Sequence, residues 1–205
     1  MYGTLAFMRT LPGRRPDLAA YIADYRSHGQ GPLSGLIVSY LYQLDRDEDD
    51  AIMFAVFDDR AAYERNSKDP EQHERYLRHR ELLVSDPDWH DGTITPYLAF
   101  AERQRDRGMY GTIGRLTLRA GAEPAVRQWL DDADNMSVEG ALALWSLTPD
   151  EEPNTLFLAT IFESKRAYWT NAESPEQDEL YRKLRMNLTE DPQWHDGAIV
   201  AYQRF

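Results

Sequence analysis

The chain contains no cysteine among its 205 residues. It therefore cannot form disulfides, hold a metal through thiolates or use a cysteine nucleophile, and this composition is typical of a reducing compartment. Basic residues are also scarce, with 23 Lys and Arg against 35 Asp and Glu and a formal net charge of −12. This sign of charge disfavours binding to a nucleic-acid backbone or to an anionic membrane surface.

Long apolar runs are absent as well. No run in the sequence reaches the about 18 residues that a membrane-spanning helix requires. The first residues also lack the basic-then-apolar pattern of a secretory leader. We therefore expect a soluble cytoplasmic protein with no nucleic-acid and no membrane partner.

One stretch of the sequence occurs twice. Residues 86–94 read DPDWHDGTI, and residues 191–199 read DPQWHDGAI, 105 positions later. Near the start the offset is 108, because the first four residues, MYGT, recur from position 109. Such self-similarity indicates a tandem duplication. We predict repeat 1 at residues 1–100, a linker at 101–108 and repeat 2 at 109–205.

Each repeat has the pattern of a small α+β unit. Leu36 to Leu44 and Ile52 to Phe57 are apolar runs on either side of an acidic turn, which predicts a hairpin. The run from Ser174 to Gln177 has the form of a capping box that opens a helix, and the run from Asp69 to Gln72 has the same form with aspartate. With the glycine of Trp-His-Asp-Gly interpreted as a turn into the last strand, the order is β-α-β-β-α-α-β. This order predicts a ferredoxin-like unit with an antiparallel sheet.

A lone unit of this kind exposes one sheet face and two strand edges, and such surfaces favour aggregation. Two units packed sheet to sheet would bury both faces. We therefore expect the two repeats to form a pseudo-dimeric α/β barrel, an intramolecular pseudo-dimer. Whether the fused chain forms a homodimer in addition is left open.

Three segments carry a resemblance to a known family. They are Leu11-Pro12-Gly13, the stretch from Phe57 to Asn66, and the Pro-Glu-Gln helix start with Trp-His-Asp-Gly behind it. Together they resemble the dimeric α/β-barrel superfamily, specifically its antibiotic biosynthesis monooxygenase-like branch, in tandem-fused form. The resemblance implies a pocket between sheet and helices in each unit, which binds a small apolar or aromatic molecule.

The chemistry that the resemblance implies is cofactor-independent monooxygenation. A base deprotonates a phenolic or quinol-like substrate, often a polycyclic one, and the resulting anion reacts directly with O₂. Haem-degrading relatives carry an asparagine midway along the first strand, where Ala6 and Gly114 stand here, so no haem is expected. Two alternatives stay open: a non-catalytic small-ligand-binding module, and a chain in which only one of the two pockets works.

Two histidines are the candidate catalytic bases. His90 and His195 occupy the repeated motif, and a histidine titrates near neutrality. The alternative is a tight Asp-Gly turn with the histidine exposed to solvent and the tryptophan in the core.

The candidate substrate-binding residues lie around this motif. Asn66 and Asn171 either donate to a substrate oxygen or cap a helix C-terminus; the resemblance implies histidine there in many relatives. In repeat 1, Gln72, Tyr76 and Arg80 are spaced to form one helix stripe, so Arg80 either binds an anion or pairs with a local acid. The full predicted set is Asn66, Asn171, Tyr76, Tyr181, Arg80, Arg185, Trp89 and Trp194.

No metal site is predicted. His73 and His79 are six residues apart and off a common helix face. Repeat 2 has Asp178 and Leu184 at the corresponding positions, so the two repeats cannot share one ligand set.

Overall fold

A computed structural model describes residues 1–23, 35–98, 108–133 and 138–204, with residues 132 and 133 described by their backbone alone. In repeat 1 the elements are β1 (Tyr2–Arg9), α1 (Arg15–Ala23), β2 (Leu36–Leu44), β3 (Asp50–Phe57), α2 (Arg60–Ser67), α3 (Pro70–Arg80) and β4 (Asp88–Leu98). In repeat 2 they are β5 (Tyr110–Thr117), α4 (Glu123–Ala133), β6 (Ala141–Pro149), β7 (Thr155–Phe162), α5 (Lys165–Ala172), α6 (Pro175–Arg185) and β8 (Gln193–Arg204). The predicted βαββααβ order is therefore confirmed in both repeats. Of the predicted linker, only Gly108 falls within the described residues.

The chain divides into two compact units whose boundaries cross those of the repeats. Unit 1 comprises Met1–Ile94 and Ile199–Phe205, and unit 2 comprises Thr95–Ala198. The strand order is β4-β1-β3-β2-β8 in unit 1 and β8-β5-β7-β6-β4 in unit 2. The closed barrel connectivity that the sequence predicts is thus confirmed. Each unit takes its fifth strand from the last strand of the other repeat.

The repeated Trp-His-Asp-Gly motif lies inside β4 and β8, so the predicted turn at this motif is wrong. Gly92 pairs with Gly3 across the antiparallel ladder, and Gly197 pairs with Gly111. A Cβ at Gly3 would collide with the Ala55 carbonyl oxygen. The glycines therefore allow close strand packing here, and the motif continues as extended backbone.

The helix starts confirm the predicted caps. The Ser174 hydroxyl accepts a hydrogen bond from the Gln177 backbone N–H at 3.1 Å. In repeat 1 the Asp69 carboxylate accepts from the Glu71 N–H at 2.8 Å. Proline follows each cap, where its missing N–H costs nothing. The caps fix where α3 and α6 begin, and so which of their side chains face the sheet.

The apolar cores beneath the helices differ between the units. In unit 2, buried leucines from α4, β5, β7 and α6 form one cluster. Among the described residues of unit 1, one cluster lies around Leu18 and Leu83 and another around Leu36 and Phe57. None of the described helices is both long and apolar enough to cross a membrane.

Candidate functional site

A cavity of about 440 Å³ lies in unit 1. This volume is within the range of about 300–1,000 Å³ that small-molecule sites occupy. Its wall combines sheet residues with side chains of α1, α2 and α3, which is where the resemblance implies a pocket. Its lining includes Tyr21, Ile22, Ser39, Met53, Phe57, Tyr63, Asn66, Gln72, Arg75, Tyr76, His79, Trp89, Asp91 and Gln203.

Aromatic rings form much of the wall. Tyr63 packs against Phe57 with ring centroids 5.5 Å apart in an edge-to-face arrangement. Tyr76 and Trp89 stand 6.3 Å apart, centroid to centroid. Such rings bind flat aromatic ligands through stacking and edge contacts. The cavity is therefore suited to a ligand with at least one aromatic ring.

A tyrosine and an aspartate are coupled in this wall. The Tyr63 hydroxyl donates to Asp91 Oδ2 at 2.6 Å. Burial, followed by the neighbouring carboxylate, raises the pKa of Tyr63 well above its ordinary value. Tyr63 therefore stays a neutral donor, and it fixes Asp91 through one carboxylate oxygen.

Several buried polar atoms of the wall lack a hydrogen-bond partner within the described part of the chain. They include the acceptors Asn66 Oδ1, His79 Nε2 and Asp91 Oδ1. In the case of His79, Nε2 is an acceptor when Nδ1 carries the proton. A buried polar atom without a partner costs about 1–3 kcal/mol. A ligand that brings hydroxyl donors would offset that cost.

His79 is neutral at physiological pH. It is only 6% exposed, and burial lowers the pKa of its imidazole to about 4. The ring of Tyr21 lies 6.4 Å from the imidazole, centroid to centroid. An uncharged imidazole in such a wall accepts a proton from a ligand more readily than an imidazolium could.

The α3 residues that line the cavity include Gln72, Arg75, Tyr76 and His79, which form an inward stripe. These residues are spaced three, four and seven apart, as on one face of a helix. The Arg75 side chain is 17% exposed and its guanidinium lies 3.5 Å from the Glu71 carboxylate. The stripe thus brings a guanidinium and a neutral imidazole into one wall.

No protein-family model and no curated protein matches the sequence. Solved structures do match. A proposed monooxygenase of Fusobacterium nucleatum superposes with a TM-score of 0.83 at 9% identity, covering 99% of this chain and 94% of that one. A proposed monooxygenase of Lactobacillus acidophilus gives 0.76 at 13%, covering 99% and 96%. An anthrone oxidase-like protein gives 0.66 at 14%, covering 99% and 92%.

The chain has the fold of these tandem monooxygenase-like proteins. The resemblance inferred from the sequence is therefore confirmed over nearly the whole chain. Identities of 9 to 14% show the fold alone, so the chemistry has to be argued from the residues of this cavity.

The predicted base His90 does not line the cavity. Successive strand residues face opposite sides of a sheet, and Trp89 and Asp91 face the cavity. His90 is buried on the other face, where its ring meets Phe7 edge to face at 5.7 Å. Its counterpart His195 occupies the same strand position in β8, opposite Ile113. The geometry therefore does not favour His90 as the base for a ligand bound in this cavity.

The predicted anion-binding arginines have other partners. Arg80 donates to the Asp86 carboxylate and, at 2.9 Å, to the Leu83 carbonyl oxygen. Arg185 repeats these contacts with Asp191 at 2.5 Å and Leu188 at 3.0 Å. Arg80 also holds the pKa of Asp86 below its ordinary value. The alternative of pairing with a local acid is thus observed in both repeats, and Arg80 is absent from the cavity wall.

The predicted asparagines belong to helices. Asn66 lies within α2 and lines the cavity. It is not a left-handed C-cap, because no described residue other than glycine has a positive φ. Asn171 lies within α5, and its Nδ2 donates to Gln177 Oε1 at 3.5 Å. The binding role of Asn66 remains compatible with its position.

The predicted aromatic residues divide between the two repeats. Tyr76 and Trp89 line the unit 1 cavity. Trp194 lies against Gly114, where a Cβ would collide with the indole ring, and Tyr181 is half-buried on α6. The aromatic part of the predicted site is thus brought together in unit 1.

The sequence interpretation missed His79 and Arg75 as site residues. Repeat 2 has Leu184 and Leu180 at these positions, and a position that accepts leucine in one repeat is often buried. That comparison could have identified both as inward-facing. Among the described residues, no group of three or more His, Asp or Glu side chains is arranged to hold a metal ion.

Proposed function

We propose that unit 1 binds a hydroxylated aromatic small molecule and catalyses its oxidation by O₂ without a bound cofactor. The observation that carries this proposal is the presence of the buried acceptors of Asn66, His79 and Asp91, which lack partners among the described residues, in a wall rich in aromatic side chains. A phenol or anthrone-like compound complements this wall, because its ring stacks on the aromatic side chains while its hydroxyl groups donate to the acceptors.

The proposed reaction requires a proton acceptor and a group that stabilises negative charge. His79 is uncharged above its pKa of about 4, so it takes the substrate proton on its ring nitrogen. The guanidinium of Arg75 in the same wall stabilises the resulting anion. The electron-rich anion then reacts with O₂. A CH₂ group becomes a carbonyl, and the second oxygen atom leaves as water, so no external reductant is needed.

The low pKa of His79 also favours a second candidate function. An imidazole of pKa about 4 is a weak base for a phenol whose pKa is near 10. An anion formed beside it would raise the imidazole pKa again by ion pairing. If that gain is too small, unit 1 is a binding module that holds the same ligands without oxidising them.

Oxygen consumption with 1,8-dihydroxyanthrone tests the proposal. The assay contains a metal chelator and no flavin, and the spontaneous oxidation rate without protein is subtracted. We expect consumption above this background, and a loss of about a hundredfold in His79→Leu, the size of a general-base contribution. Arg78→Ala is the matched control, because Arg78 lies on the exposed face of the same helix.

Two further outcomes are informative. A folded His90→Asn variant separates the two histidines, since a loss of rate there and not in His79→Leu would restore the sequence-based assignment. Saturable binding of the anthrone without oxygen consumption above background would contradict catalysis and leave the binding module.

A further inference from the structure

The two repeats place different residues at equivalent positions of this cavity. Taking the unit 1 cavity as the site, as the proposed function does, we infer that the chain has one ligand site, located in unit 1. Repeat 2 supports that site structurally and contributes one residue, Gln203, to its wall.

Ten of the eighteen cavity-wall positions that repeat 1 supplies hold a different residue in repeat 2. Five of the ten carry a polar or sulfur-containing side chain in repeat 1 and leucine or tryptophan in repeat 2. Residues before position 24 are related by the offset of 108, and residues after position 34 by the offset of 105. Four of the five carry a hydroxyl, guanidinium or imidazole group in repeat 1, and all five become leucine or tryptophan in repeat 2. The pairs are Tyr21 and Trp129, Ser39 and Leu144, Met53 and Leu158, Arg75 and Leu180, and His79 and Leu184.

In unit 2 four of these replacements belong to an apolar core or pack against it. Leu158 and Leu184 are 5% and 2% exposed and belong to one apolar cluster of that unit. Trp129 and Leu144 are partly buried and pack against the same cluster. Burial of apolar area contributes about 25 cal/mol per Å². The side chains that replace Met53 and His79 are thus packed among apolar residues in unit 2.

Gln203 shows that the contribution of repeat 2 is not mirrored by repeat 1. This residue of β8 belongs to unit 1, is 4% exposed and lines the cavity. Its Nε2 donates to the Ile22 carbonyl oxygen at 2.6 Å, near the end of α1, where carbonyls lack partners within the helix. The equivalent residue of repeat 1 is Leu98. At this strand position repeat 2 therefore supplies a polar anchor to unit 1, whereas repeat 1 supplies a leucine to unit 2.

Cysteine accessibility tests this asymmetry without any ligand. Because the chain has no cysteine, Met53→Cys and Leu158→Cys each introduce a single reporter at equivalent positions. We expect methyl methanethiosulfonate to modify the folded Met53→Cys protein about tenfold faster or more, because a core thiol reacts only after local or global opening. Equal rates in two folded variants would overturn the inference. If Leu158→Cys does not fold, Ser39→Cys and Leu144→Cys replace the pair and are judged by the same criterion.

Ligand protection separates this inference from the proposed function. With 1,8-dihydroxyanthraquinone as a non-oxidisable probe, we expect one molecule bound per chain and slower modification of Met53→Cys. Gln203→Leu introduces the residue that repeat 1 has at this position. Combined with Met53→Cys, it should weaken the protection about tenfold, which corresponds to the loss of one buried hydrogen bond. Two bound molecules per chain would overturn the inference. Unequal thiol rates without protection would support the single cavity and contradict the proposed ligand class.

Discussion

At the residue scale, the difference between unit 1 and unit 2 is clearest at His79. Its imidazole is buried in the wall of a cavity, and its counterpart Leu184 is buried in a core. A leucine in that place needs no partner, whereas a histidine there has to remain uncharged. The difference between His79 and Leu184 therefore distinguishes a cavity wall from an apolar core. It should also make the stability of the protein depend on pH.

The pH dependence follows from the depressed pKa of His79. The folded protein binds this proton only near pH 4, whereas the unfolded chain binds it near pH 6.5. The stabilising effect of the neutral imidazole is thus present above about pH 6.5 and is lost as pH falls towards 4. Between pH 7 and pH 5 the loss is about 2 kcal/mol.

Urea unfolding at pH 7 and pH 5 tests this prediction. The unfolding free energy of the wild type should fall by about 2 kcal/mol more than that of His79→Leu. The Arg78→Ala protein should behave as the wild type. An unchanged difference between the two pH values in a folded His79→Leu protein would contradict a buried neutral imidazole.

The contact between Tyr63 and Asp91 gives a second prediction at this scale. The hydroxyl donates to a carboxylate at 2.6 Å, and hydrogen bonds to charged groups contribute about 1.5–3 kcal/mol. Tyr63→Phe keeps the ring contacts with Phe57 and leaves Asp91 without this donor. We expect unfolding free energy to fall by that amount at pH 7, and by clearly less in an Asp91→Asn background. Additive losses in the double-mutant cycle would show that the two side chains do not interact.

At the element scale, most of the fold could be predicted because each element has its own local signal. The strand Leu36–Leu44 is predicted to the residue, and both helices that begin with Asp-Pro or Ser-Pro start where the caps indicate. The last strands were misassigned because Asp-Gly favours turns. What overrides that preference is a contact between distant residues, the pairing of Gly92 with Gly3, which no local pattern reveals.

The site was predicted less well, also for geometric reasons. Because the motif lies in β4 and not in a turn, its alternate side chains face opposite sides of the sheet. Asp91 therefore faces the cavity and His90 does not. On α3 the stripe through Gln72, Tyr76 and Arg80 is close to the inward direction. The face observed in the cavity wall includes Arg75 and His79 in place of Arg80. Side chains three and four residues apart share a helix face, so spacing alone does not tell which neighbouring residues on either side of the stripe face inward.

The N-cap of α6 allows a prediction about an element. Ser174 accepts from the Gln177 N–H at 3.1 Å, and loss of such a cap costs about 1 kcal/mol. Ser174→Ala should lower the unfolding free energy by that amount, and Ser174→Asp, the residue type found at the equivalent cap of α3, should retain it. Equal stability of the alanine and aspartate variants by urea unfolding would contradict the role of the cap.

At the scale of the whole molecule, each unit contains strand segments from both repeats. Unit 1 is completed by Ile199–Phe205, and unit 2 contains Thr95 to Leu98 from the end of β4. The duplication therefore does more than place two copies in one chain. Each repeat lacks the fifth strand that its own sheet uses, and neither sheet is complete until the whole chain is made.

This sharing of strands predicts how half of the protein should behave. Residues 1–105 retain β1 to β4 but lose β8, which lies next to β2 in unit 1. The edge of β2 then exposes unpaired backbone groups, and Leu36 and Leu41 on this strand are buried in the full chain. Exposed apolar edges pair with other chains. We therefore expect residues 1–105 to form dimers or aggregates in size-exclusion chromatography with light scattering, while the full chain at equal concentration serves as the reference. A soluble monomer of this fragment with cooperative thermal unfolding would show that β8 is dispensable for unit 1, and the proposed structural contribution of repeat 2 would be lost with it.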